Sequence, residues 1–352
     1  MLAAVDEGQL VDVHRVEHEL EARHTFLVLA LEAAPALLLA FVGAGVQVGS
    51  EGPAVLVDAV LAAGSSVASG YVRGAVLLEG ASLGANAHVR AGTLLEEQAS
   101  TAHSVGLKHT ILLAFVTLGS VINFCDCLMA GGSSRQDHSE VGSGFIHFNY
   151  TPWGERGNKA TPSLVGDVPQ GVFYRQRRIF LGGAGGMIGP RKVGYGTVAA
   201  AGQVVRHDIE DDRLVLRTPP RIDRELAGRR LDGAARSVKN LEYIAHLVAL
   251  RAFYREVRLV RATPERAPVV RAAIEVLDSA IVERQKRLAA FLKERGREVP
   301  ELLLEPDVGL CPLPSLGGPA EESHLDYIAG ISDSLAKAGE DWLRAIITSV
   351  LA

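Results

Sequence analysis

The chain has 352 residues, enough for two or three domains, and a formal net charge of −5 with a pI near 6.1. That balance gives no support for general nucleic-acid binding, which leaves a basic patch in a sequence. Three cysteines, Cys125, Cys127 and Cys311, cannot make a disulfide framework, so a reducing compartment and a cytoplasmic location are expected.

The first pattern in chain order is helical. Val11–Leu31 places acidic and basic residues on a polar face. Within it His14-Arg15-Val16-Glu17-His18 matches an H-x-x-E-H zinc pattern, with both imidazoles on one helix face. No third ligand or protease-like context accompanies it, so it reads as a solvated arm, and no metal is predicted. Phe26–Val42 is apolar, but Glu32 and Pro35 interrupt it, and it is short for a membrane span. It is expected to be a helix leading into the next region, without membrane insertion.

From Val42 to Val205 a six-residue beat recurs. It shows as Val42, Val48, Ala54, Val60, then as Leu83, Val89, Leu95, and again as Leu181, Met187, Val193, Ala199, Val205. One apolar side chain in six cannot make a helix face. It can line a coil of short strands and tight turns, three units to a turn, with glycine supplying positive φ at the corners. Stacked turns then bury a continuous aliphatic column. The 37 glycines and only 5% aromatic residues agree with this. Phase slips near 80–83, 100–111 and 133–171 read as loops thrown out from the corners. Asp208–Arg217 reads as an exit strand, and Pro219-Pro220 as a boundary.

Beyond Arg221 glycine thins out and apolar residues return at helical spacing. Helices are predicted over Leu231–Val260, with a break in its middle, over Ala267–Arg295, stopped by Gly296 and Pro300, and over His324–Leu351. The predicted organisation is a helical arm over 1–40, a coil over 41–217 and a helical domain over 218–352.

Three motifs invite chemistry. Gly182-Gly183-Ala184-Gly185-Gly186 is phosphate-loop-like only in composition, lacking the Lys-Ser/Thr end, so coil corners with positive φ explain it. Its smallness would also let a pantetheine arm lie against the coil. Cys125-Asp126-Cys127 puts both thiols on one side of a strand, as small core residues if they face inward. The polar loop from Phe148-Asn149-Tyr150 through Trp153 to Asn158-Lys159 breaks the repeat and is the first place to look for a ligand.

At Asn149-Tyr150 the sequence resembles the C-terminal left-handed β-helix of the bacterial bifunctional UDP-N-acetylglucosamine pyrophosphorylase and glucosamine-1-phosphate acetyltransferases. The resemblance covers about half the chain, from Phe41 to Arg217. It implies a left-handed parallel β-helix of hexapeptide repeats, mainly β with α, in a homotrimer that shares its sites between subunits. It implies a sugar phosphate or nucleotide sugar as ligand and acetyl-CoA as cofactor. Arg90, Lys108, Asn149, Tyr150 and Lys159 would hold the sugar phosphate, with four extra residues between Tyr150 and Lys159. Gly183, Ala201 and Arg217 would border the coenzyme. Arginine and lysine suit a phosphate ester, the first by bidentate contact and the second as a point charge.

The departures fall on catalysis. Acyl transfer needs a base for the amine proton. The base of these enzymes is a histidine shortly after a Gly-Ser step. Here the step is Gly119-Ser120, and the matching position is Phe124. Cys127 stands for a tyrosine, Glu140 for a substrate-contacting asparagine and Gly183 for a serine. His138, beside Asp137, and His147, on the same strand face as Asn149, are the candidate replacement bases. No Gly-rich nucleotide loop precedes Phe41, so pyrophosphorylase activity is not expected. The alternatives are an acyltransferase, a binding or regulatory module without catalysis, and a scaffold.

Overall fold

The computed structural model describes residues 25–28, 39–150, 158–218, 234–313 and 321–352. Residues 41–218 form a parallel-strand β-solenoid of about nine turns, with helices after it. This is the expected mainly β architecture with α, consistent with a left-handed β-helix.

Each turn visits three faces. The first contains Val60–Leu61, Ala75–Leu77, Thr93–Leu95, the end of Gly106–Leu112, the end of Asn123–Met129, Ser163–Val165 and Lys192–Val193. The second contains Ala54–Val57, Gly70–Arg73, Ala87–Val89, the starts of the same two long strands, Ile146–Phe148, Gly186–Ile188 and Val204–Val205. The third runs from Gln47–Val48 through Ser100–Thr101, Thr117–Leu118 and Phe180–Leu181 to Leu214–Val215. Registers align one inward side chain per strand into columns. The second-face column reads Leu56, Val72, Val89, Leu107, Phe124, His147, Met187, Val205.

These registers correct the first run of the beat. Leu56 and Leu61, not Ala54 and Val60, point into the column there. Corner chemistry also differs from expectation. Glycines such as Gly64 and Gly80 do take positive φ, but so do Asn86, Ser104, His109, Val121 and Asp126. Gly182, Gly183, Gly185 and Gly186 do not; Ala184, at φ +48°, is the left-handed residue of that run. Those glycines are required because adjacent turns touch there. A Cβ on Gly183 would lie 2.6 Å from the Ser143 carbonyl oxygen, and one on Gly186 would lie 2.8 Å from the Phe148 ring.

The first face is apolar on both sides. Its outward row of Val76, Leu94, Ile111, Leu128 and Leu164 is as buried as its inward row. Helices cover it. After a short α1 (Val168–Gly171), the tail consists of α2 (Ala234–Phe253), α3 (Ala267–Lys293), α4 (His324–Gly330) and α5 (Asp333–Leu351). α3 packs on the strands around Val60, Val76 and Leu94, and α2 on Ser163–Val165. The helix predicted to break near its middle runs unbroken from Ala234 to Phe253 and continues as a π-helical segment, Tyr254–Leu259. The last predicted helix is two. Ser323 and Ser332 each cap an N-terminus, accepting from the backbone N–H of Asp326 and Leu335.

Two further expectations change. Thr25–Val28 is a strand, not part of a helix, and pairs antiparallel with Leu39–Val42, which in turn pairs parallel with the next turn of the coil. The added strand pairs the open edge of Leu39–Val42, which would otherwise expose unpaired N–H and C=O groups. The exit strand over 208–217 is a ninth turn, with Ile209 bridging to Val193 and Leu214–Val215 pairing with Val198–Ala199. His14, Glu17, His18, Trp153 and Pro219-Pro220 lie outside the described residues.

Candidate functional site

The corner between the second and first faces gathers charge. Val89, Leu107 and Phe124 share an inward column, so the next residues, Arg90, Lys108 and Cys125, form an outward row. Arg90 reaches the Cys125 sulfur, Nη2 to Sγ 3.9 Å, and that thiol donates to Asn123 Oδ1 at 3.0 Å. Burial, with the charge of Asp126, raises the Cys125 thiol pKa. The chain then turns through His109 and Asp126, both at positive φ. Asn149 Nδ2 donates to Asp126 Oδ2 at 2.8 Å. Asp126 also meets Arg284 of α3 at 2.9 Å, with both side chains at or below 5% exposure. The tail thus closes over one side of this corner, leaving Arg90 exposed and Lys108 half-buried.

Three expectations change at this corner. Asp126 turns the backbone, so Cys125 and Cys127 do not share a side; Cys127 is in the core and Cys125 borders Arg90. Phe124 points into the coil, where its ring packs on Phe145 and His147. A residue on the inward column is not where a base could meet a ligand. His147 is on that same column. Its Nδ1 meets the Cys125 carbonyl oxygen at 2.6 Å and its Nε2 the Ser163 hydroxyl at 2.8 Å. Burial lowers its pKa to about 4, against the raising effect of the Cys125 carbonyl. Both nitrogens are thus engaged by protein, and the ring is neutral at physiological pH.

His138 lies elsewhere. It sits on the loop after Met129, with Nδ1 at 2.8 Å from the Arg135 carbonyl oxygen and Nε2 at 3.9 Å from Glu140. That loop leads into the third face, away from the corner of Arg90 and Asn149. Tyr150 is exposed and begins the polar loop. Lys159 is exposed, next to Asn158, whose Oδ1 accepts from the Ala160 N–H at 2.6 Å. The Ala160 carbonyl is held by Asn240 of α2 at 3.1 Å.

The other edge of the second face is built differently. On the third face Thr101, Leu118, Val141, Leu181, Ala199 and Val215 are in register. Two residues further on, the chain turns the corner, and the same register stacks His103, Ser120, Ser143, Gly183, Ala201 and Arg217. The three residues expected to border the coenzyme therefore lie in one row. They are continuous with a hydrogen-bonded group that sequence reasoning missed. Ser120 Oγ is 3.0 Å from His103 Nδ1, and the Ser120 N–H donates to Ser143 Oγ at 3.0 Å. His103 is exposed and stands beside the Gly119-Ser120 step, one turn earlier in the chain. Only the strand register links residues 17 apart, so spacing along the sequence did not single it out.

The two edges are thus a basic corner and a row of small residues with an imidazole. Among the described residues no cluster of three or more His, Cys, Asp or Glu side chains could hold a metal ion. Among them too, no helix is long and apolar enough to cross a membrane.

Comparison with known proteins agrees with a distant relationship. The chain is 23% identical to bifunctional protein GlmU of Streptococcus pyogenes (serotype M18) over 176 residues, 50% of this chain and 34% of that protein. It is 27% identical to the GlmU of Pseudomonas fluorescens over 149 residues, 42% of this chain and 28% of that protein. The chain therefore spans about a third of the length of the curated relatives it matches. No protein-family model matches it.

Proposed function

We propose that the protein binds a sugar phosphate or nucleotide sugar at the basic corner and transfers an acyl group to it from acetyl-CoA lying along the small-residue row. The observation that carries this reading is the register. It sets Arg90 and Lys108 side by side in one row with Cys125, at the corner where Asn149 bonds Asp126, and stacks Gly183, Ala201 and Arg217 in line with His103. Two guanidinium or ammonium groups on one edge suit a phosphate ester. A row of glycine and alanine lets an extended pantetheine arm approach the backbone. Tyr150 and Lys159 would close the sugar side.

In this reading His103 is the base, ahead of His138 and His147. The amine nitrogen of the sugar attacks the thioester carbonyl. His103 takes the nitrogen-bound proton, the carbon–sulfur bond breaks, and the proton passes to the departing thiolate. Ser120, bonded to Nδ1, would orient the imidazole.

Within one chain His103 and Lys108 are at opposite edges of the second face, roughly 15 Å apart along extended strand. A homotrimer would set the basic corner of one subunit against the small-residue row of the next. The uncovered faces carry apolar residues suited to that contact. Phe180, Val198 and Leu214 form an exposed row on the third face, rising from 37% to 76% exposure, and Ile146 and Phe148 are exposed on the second.

The test is thiol release from acetyl-CoA in the presence of glucosamine 1-phosphate. Turnover that falls about a hundredfold or more in His103→Gln, with binding retained, fits a base. Sugar binding without thiol release would leave a binding or regulatory module. Sedimentation analysis checks the trimer.

A further inference from the structure

The basic corner extends one turn beyond the residues found by resemblance. Val72 and Val89 are register partners, as are Val89 and Leu107, so the next residues stack as Arg73, Arg90 and Lys108. Arg73 and Arg90 are exposed and Lys108 is half-buried. Among the described residues none of the three meets a carboxylate; Arg90 reaches only the Cys125 sulfur. Strands lie about 4.8 Å apart, and like charges on neighbouring strands repel. A ligand with more than one negative charge would relieve three such cations.

A second row, two residues earlier on each strand, points the same way. In it Tyr71 and His88 are stacked, with ring centroids 5.5 Å apart and planes 24° apart. Gly106 comes next in that row, and Asn123 after it. Neither conformation nor packing requires this glycine. It is not in the left-handed region, and a Cβ on it would come no closer than 3.9 Å to Asn123 Oδ1 and the Ile122 carbonyl oxygen. Glycine inside a regular strand weakens it and can mark the close approach of a ligand. Here the missing side chain opens a slot between the His88 ring and Asn123, two strand spacings or about 9.6 Å wide. One planar ring fits there, with His88 as its stacking partner. Asn123 Oδ1 accepts from the Cys125 thiol at 3.0 Å, which leaves the amide NH2 to donate to a ring carbonyl.

The slot and the basic row are two residues of strand apart, roughly 7 Å. A base joined to a diphosphate through a ribose spans that separation, and a sugar monophosphate leaves both the slot and Arg73 unused. We propose that the ligand of this corner is a nucleoside diphosphate sugar, with its base over Gly106 against His88 and its diphosphate along Arg73, Arg90 and Lys108. This rests on the sugar-phosphate reading of the same corner and narrows it to one class.

The test compares glucosamine 1-phosphate with UDP-glucosamine, which differ by a uridine monophosphate unit, by calorimetric titration into the full chain. UDP-glucosamine should bind about tenfold more tightly or better. Gly106→Val fills the slot and should abolish that preference without lowering the melting temperature, while glucosamine 1-phosphate binds as before. Arg73→Ala, at an exposed position, should weaken UDP-glucosamine about fivefold or more and leave the monophosphate unchanged. Coenzyme A also carries a base and a diphosphate, so it is titrated in parallel and should not respond to Gly106→Val. Equal binding of the two sugars would overturn this inference and leave the basic-corner reading standing; binding of neither would overturn both. A preference that survives Gly106→Val, or a loss in that variant confined to coenzyme A, would also overturn it.

Discussion

The covered face and the two open faces of the coil use charge in opposite ways. On the covered face, ionic groups are buried and paired across to the tail: Glu96 and Glu97 with Arg258 at one corner, Asp126 with Arg284 at the other. Tyr254 adds a hydrogen bond to Glu96 at 2.7 Å. On the open side, Arg90, Lys108 and His103 keep exposure. A buried ion pair gives little net stability, but losing one partner is costly. The covered charges therefore fix where the tail docks, while the open ones stay in contact with solvent.

The largest break in that contrast should come from Arg258→Met. It leaves Glu97 buried without its cation, and chemical denaturation should show a loss of about 3–5 kcal/mol. Arg90→Ala and Lys108→Ala should each stay within about 0.5 kcal/mol of the parent in the same measurement. If they destabilise as much as Arg258→Met, the distinction between the two sides fails.

Acid should act next, through buried histidines. His147 and His246 have pKa values lowered to about 4 and about 3, in both cases by burial first. In the unfolded chain they bind protons near pH 6.5, so the unfolded state holds more protons below that pH. Their stability contribution is complete above about pH 6.5 and declines as pH falls toward 4. The loss is about 1.4 kcal/mol per pH unit for each group. Glu96 has the opposite sign. Burial raises its pKa, so stability falls as pH rises from 4.5 through its folded value. A stability–pH curve for His147→Gln that keeps the full acid slope would contradict the assignment.

The smallest expected effect is a gain. Val121 is β-branched, 60% exposed and at φ +58°, a conformation costly for such a residue. Val121→Asn should raise stability by about 1 kcal/mol, read from the denaturation midpoint. It neighbours Ser120, so unchanged thiol release would also show that the row tolerates the change.

The coil was legible because its inward residues repeat at a fixed spacing, and the tail helices because their apolar residues do. The covered face was written in the sequence too, as doubled apolar pairs such as Leu94-Leu95, Ile111-Leu112 and Leu128-Met129. A strand buried on both sides needs both residues apolar. The shifts at Ala54, by two residues, and at Val60, by one, went unseen, because the beat alone does not fix which residue of each strand joins the column. At the site, Arg90, Lys108 and Asn149 could be found by resemblance. Phe124 and His147 were misplaced because the inward column, not the local motif, decides which way they point. His103 was missed because its partner Ser120 is 17 residues away and adjacent only through strand register.

The most direct measurement is calorimetric titration of glucosamine 1-phosphate into the parent chain and into Arg90→Ala/Lys108→Ala. The parent should bind, and the double variant should lose about a hundredfold or more in affinity while melting at the same temperature. Equal binding by both proteins, or no binding by the parent, would contradict the account.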